Sequence, residues 1–239
     1  MTGDPLSAGR PLPPGRPLLE ICAFSLADAG VASSAGADRI ELCRAPEADG
    51  LTAADDDLIA AAALLDRIPI HPIIRPRASF ELTTGDLHQM CRTMDFVAEL
   101  GFPGAVVGML VDNEPDWSAL AEVLSHGAGL DVTFHRAFDL VTDQPQALTG
   151  LAELGVRRVL TSGRPGRAAD NLDALAALTA AAADVGVLLM AGGGVDSSNA
   201  AAVLTTGVRE LHASAGGSTG NLRAAEVRAL AELCRQPAE

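Results

Sequence analysis

Residues 131–139 read Asp131-Val132-Thr133-Phe134-His135-Arg136-Ala137-Phe138-Asp139. The front half is β-branched or aromatic, the composition of a buried strand. The back half carries His135, Arg136 and Asp139. A strand that runs from apolar packing into three ionisable side chains is costly unless those groups are paired or used. Two readings fit. One is an ion pair where the strand surfaces. The other is the reactive end of a strand, with His135 and Asp139 handling protons and Arg136 holding a ligand.

The pattern recurs along the chain. Glu20 stands two residues before Cys22, Glu41 two before Cys43, and His212 two before Ser214. His71, Arg75 and Arg77 share one parity, and Thr161-Ser162-Gly163 closes another apolar run. Even spacing puts side chains on one face of a strand. Glu20 and Glu41, brought together, would share a proton or pair with Arg75 or Arg77. That suits general acid–base work by Glu20, Glu41, His135, Asp139 and His212, or equally a salt-bridged polar core. The arginines, with Ser162 and Ser214, could hold a small anion. Gly192-Gly193-Gly194 would let backbone N–H groups approach such an anion, or serve only as a tight turn. Residues 214–218 form a second glycine-rich stretch. Cys22 and Cys43 offer two thiolates to a soft ion such as Cu(I); their other reading is two small buried hydrophobes.

These residues need elements to position them. Apolar runs at 18–24, 38–44, 69–77, 104–110, 131–139, 157–163, 187–194 and 210–214 alternate with helical stretches. The helices are expected at 25–36, 51–65, 84–100, 116–125, 144–154, 169–183, 197–205 and 224–234, with Ser25 and Thr52 as N-caps. Eight strand–helix units predict right-handed βαβ connections and a parallel sheet. Their number and length fit a closed (β/α)₈ TIM barrel of class α/β. An open doubly wound sheet would want Gly-x-Gly-x-x-Gly after its first strand, where Cys22-Ala23-Phe24-Ser25 stands. In a barrel the outward face meets apolar helices, so the paired polar residues turn inward. They collect at the C-terminal rim, where three of the five histidines (His71, His135, His212) would meet.

The 239 residues therefore read as a disordered arm at 1–17, with five prolines and three glycines, and a single barrel at 18–239. A net charge of −14 disfavours nucleic acid and anionic membranes as partners. No signal peptide or membrane span is visible, and none of the four cysteines forms Cys-x-x-Cys. The expectation is a cytoplasmic protein with reduced thiols and, as barrels often pair, a homodimer.

Several stretches also resemble the CutC family, named for copper homeostasis. They are Glu20-Ile21-Cys22, Ala37 through Cys43, Gly50-Leu51-Thr52, Ile74-Arg75-Pro76-Arg77, Phe134 through Asp139, Leu160 through Gly163, Gly192 through Val195, and His212-Ala213-Ser214. The resemblance implies a TIM barrel in the cytoplasm, with Cys22 and Cys43 at positions proposed to bind Cu(I) in relatives. The segment after Arg77 is short here, Ala78-Ser79-Phe80. Copper homeostasis through Cys22 and Cys43 is one expected function. The alternative is a barrel enzyme acting on a small anionic or phosphorylated metabolite.

Overall fold

The computed structural model describes residues 15–216 and 221–236. Most of the expected arm, and residues 217–218 of the second glycine-rich stretch, lie outside them. Eight parallel strands form the centre: β1 (Leu18–Ala23), β2 (Arg39–Leu42), β3 (Ile70–Pro72), β4 (Gly104–Val107), β7 (Asp131–Phe134), β8 (Arg158–Thr161), β9 (Leu188–Ala191) and β10 (Glu210–Ala213). A two-stranded hairpin, β5 (Leu110–Val111) and β6 (Glu114–Pro115), follows β4. The sheet order is β3-β2-β1-β10-β9-β8-β7-β4. A parallel bridge between Ile73 and Val106 joins its two ends, and the Ile74 N–H donates to the Val106 carbonyl at 2.7 Å. The ring is thus an eight-stranded TIM-type barrel, as the alternation of runs required.

The helices are α1 (Leu26–Ala35), α2 (Asp55–Ala62), α3 (Thr84–Glu99), α4 (Trp117–Ser125), α5 (Gln144–Glu153), α6 (Leu172–Asp184), α7 (Ala200–Leu204) and α8 (Ala224–Arg235). Ser25 caps α1 by accepting from the Asp28 N–H, and Gly36 ends it in the left-handed region. Thr83 and Asp86 form a capping box on α3. Helix α2 is shorter than expected and its N-cap is Ala54 rather than Thr52. The Thr52 hydroxyl instead accepts from the Arg75 N–H at 2.8 Å, which draws it toward β3. Helix α7 also starts late, because Asp196 accepts from Ser198 and so holds that segment in a turn.

Side-chain alternation divides the packing in two. Leu19, Ile21, Ile40, Leu42 and Ile70 face outward and bury themselves, with helix residues, in the main apolar core. A small second cluster, Cys22, Cys43, Ile73 and Val106 with Phe24 beside it, lies inside the ring. The rest of the interior is largely polar, which is unusual filling for such a barrel.

Candidate functional site: a buried thiol, carboxylate and imidazole cluster

The inward positions of adjacent strands are set by register. Glu20 aligns with His212 on one side and Arg39 on the other, Cys22 with Glu41, and Glu41 with His71. Glu20, Arg39, Glu41, His71, Arg158 and Glu210 are all buried. They form two layers.

The layer toward the strand N-termini is a chain of ion pairs. Arg158 donates to Asp131 at 3.0 Å and to Glu210 at 2.6 Å. Arg39 donates to Glu210 at 2.6 Å and to Glu20. Arg39 also reaches the Met190 sulfur at 3.3 Å. Each arginine in this layer has two carboxylate partners, so the desolvated charges are compensated.

The layer toward the C-termini is less balanced. His212 Nδ1 is hydrogen-bonded to Glu20 Oε1 at 2.7 Å, and its Nε2 lies 3.7 Å from Glu41 Oε2. Cys22 Sγ and Cys43 Sγ are 3.0 Å apart. The ligand atoms of Cys22, Glu41 and Cys43 all lie within 4.8 Å of one another, as do those of Glu20, Glu41 and His212. Burial pushes the Glu20 carboxyl up, but Arg39 and the His212 hydrogen bond hold it well below the usual range. Burial raises Glu41, and Glu20 adds to that rise. Burial opposes charge on His212, yet Glu41, Cys22 and Glu20 hold the imidazole well above its ordinary value, so it is the protonated cation of the layer. The hydrogen bond shared with Cys43, with burial and Glu41, pushes the Cys22 thiol far up. The hydrogen bond with Cys22 pulls the Cys43 thiol down, but burial and Glu41 outweigh it and the net shift is upward.

Each interior imidazole rests against a glycine in a strand or just after one. A Cβ on Gly104 would sit 2.5 Å from the His71 ring, one on Gly108 2.2 Å from His135, and one on Gly192 3.2 Å from His212 Cβ. Large and small residues interlock across the ring. His71 and His135 are each pushed down to about 3, first by burial, then by Arg39 and by Arg75 respectively. Both are neutral.

The expected site residues thus separate into groups. Glu20, Glu41, Cys22, Cys43 and His212 come together. Glu20 is paired by Arg39 and His212, not by Arg75 or Arg77, which corrects the expected pairing. Arg75 is buried at the rim but spends Nη1 on the carbonyls of Ala48 and Gly50, and Nη2 on that of Ala78. Arg77 is on the surface, 3.4 Å from Asp86. Asp139 accepts from Thr161, from the Ser162 N–H and hydroxyl, and from Arg136. That ties the loop after β7 to the end of β8. Arg136 also donates to Ser162 and to the Gly166 carbonyl. Gly193 and Gly194 have φ of 94° and 70°, which only glycine adopts without strain, and Gly193 lies against Arg136. Ser214 follows β10 at the rim. Sequence reading missed Arg39, Arg158, Glu210 and Asp131 as interior charges. The signal was present: Arg39 is two before Glu41, and Glu210 two before His212.

Fold and site together define a (β/α)₈ barrel with a soft-ligand cluster buried at its C-terminal end. Comparison with known proteins narrows this. The CutC family model matches residues 17–217, and the chain belongs to that family. A relative from Salmonella newport, named family protein CutC, is 45% identical over 201 residues, 83% of this chain and 80% of its own. One from Klebsiella pneumoniae is 42% identical over the same shares. A Streptococcus agalactiae crystal structure, named for CutC and copper homeostasis, matches with TM-score 0.79 at 29% identity, over 83% of this chain and 98% of that one. Phosphoribosylanthranilate isomerase from Thermotoga maritima matches with TM-score 0.60 at 10% identity and shares the fold alone.

Proposed function

We propose that the protein serves copper homeostasis by binding Cu(I) between Cys22 and Cys43, with Glu41 as a third donor. The observation that carries this is the pair of buried thiols, 3.0 Å apart, beside a carboxylate. Thiolates are the soft ligands that Cu(I) prefers. The surroundings favour a cation: Glu41 raises the proton affinity of both thiols and Glu20 that of Cys43, and a positive ion would replace those protons. The same carboxylates repel an anionic metabolite at this position. Reduced, unbridged cysteines support a cytoplasmic setting, and no helix among the described residues is long and apolar enough to cross a membrane.

Anaerobic titration with Cu(I) against a colorimetric chelator tests the proposal. The protein should take up one ion per chain and show thiolate-to-copper absorption. The double variant Cys22→Ser/Cys43→Ser should lose both. Equal affinity in the variant would refute the reading.

A further inference from the structure

At the barrel mouth, two buried donors lack acceptors. Arg75 is only 7% exposed, and no carboxylate among the described residues lies within salt-bridge distance of it. Its Nη1 and Nη2 are bound to backbone carbonyls, but its Nε has no partner. His135 is 4% exposed. Its Nδ1 accepts the Ala137 N–H at 3.2 Å, which places the ring proton of this neutral imidazole on Nε2. Nε2 has no partner either. Phe80, in the short segment after Arg77, joins the two. Its ring lies 4.7 Å from the Arg75 guanidinium and 5.2 Å from the His135 ring. Gly108 backs the imidazole from the other side.

A buried guanidinium that Asp49 and Glu41 favour only from beyond ion-pair distance, and an orphaned imidazole N–H that shares Phe80 with it, are both costly, and one ligand meeting both would relieve them. We propose that Arg75 Nε and His135 Nε2 bind the carboxylate of a small organic acid, with Phe80 as the cover. The donor set selects the class. Three of the five guanidinium N–H groups are spent on carbonyls, which leaves Nε–H and one on Nη2. With the His135 Nε2–H they suit the two oxygens of a planar carboxylate. The tight packing of Phe80 and Gly108 restricts the ligand to a compact acid. This site uses none of the thiol ligands, so it stands or falls separately from copper binding.

The test uses the whole chain without copper and formate as probe. Thermal unfolding is followed against formate, with chloride at matched ionic strength as control. Formate should raise Tm saturably by a few degrees, while chloride should not. His135→Asn keeps an acceptor for the Ala137 N–H but removes the Nε2 donor. It should weaken formate binding about tenfold or more, the worth of one charge-assisted hydrogen bond. In the wild-type protein, the His135 Nε2 proton resonance should move downfield at saturating formate, a readout independent of how the variant folds. Equal effects of formate and chloride, a resonance that does not move, or wild-type affinity in His135→Asn would each overturn the proposal.

Discussion

The two layers inside the barrel are built from the same residue types and yet differ in kind. Below, Arg39 and Arg158 alternate with Asp131, Glu210 and Glu20, so positive and negative charges interleave. Above, Glu41 and Cys22 have His212 beside them, Cys43 has Cys22, and Arg75 acts on Glu41 only from beyond ion-pair distance. Buried ions held by opposite neighbours are structural. Buried acids and thiols short of positive charge leave a layer that the proposed Cu(I) would balance. The contrast shows that residue type alone does not mark a site in this interior; the local balance of charge does.

The contrast can be broken most severely from below. Arg39→Met should strand Glu20 and Glu210 without their shared partner and cost about 3–5 kcal/mol, read from the urea midpoint. A loss under about 1 kcal/mol would show that the lower layer is not the compensated one. Acid should separate the layers next. His71 and His135 titrate near 3 when folded but near 6.5 in the unfolded chain. The unfolded chain therefore binds the extra protons, and stability is full above about pH 6.5 and falls as pH drops. The slope should be roughly 2–3 kcal/mol between pH 6 and pH 5. His212 is shifted the other way. Its contribution is full below about pH 6.5 and is lost as pH rises through its folded value. Denaturant melts across pH should then peak near 6.5, and a curve flat from pH 6 to 5 would contradict the neutral assignment of His71 and His135.

Gly108→Ala should cost about 1–3 kcal/mol, since its Cβ would meet the His135 ring at 2.2 Å. Gly30→Ala, in α1 with open space around it, should instead stabilise by up to about 1 kcal/mol. The smallest change is the most discriminating. Glu41→Gln removes a carboxylate whose ionised form is disfavoured, so stability should stay within about 1 kcal/mol while Cu(I) affinity falls. A large loss of stability there would make Glu41 a structural partner like Glu210.

Much of this was legible in the residues. The eight apolar runs became the eight barrel strands, and the two-residue spacing of Glu20 with Cys22 and Glu41 with Cys43 put both pairs inside. Caps such as Ser25 were readable because their bonds are local. What escaped reading was non-local. That Arg39 on β2 reaches Glu210 on β10 follows only once β1 lies between those two strands. Thr52 looked like a helix cap because its competing partner, the Arg75 N–H, is 23 residues away. That Asp139 pairs with Arg136, and that backbone carbonyls take three of the five Arg75 N–H groups, is likewise not readable from sequence. The β5–β6 hairpin was missed, although Asp112 and Asn113, both at positive φ, are the residue types its turn demands.

The strict alternation of ions inward and aliphatics outward has a consequence for how the chain finds its fold. Slipping β1, β2, β8 or β10 by a single residue would push carboxylates or guanidiniums among the helices and turn aliphatic side chains toward the charged spine. Misaligned barrels are thereby penalised twice, so the polar lining acts as a ratchet that admits one pairing of each of these strands with its neighbours.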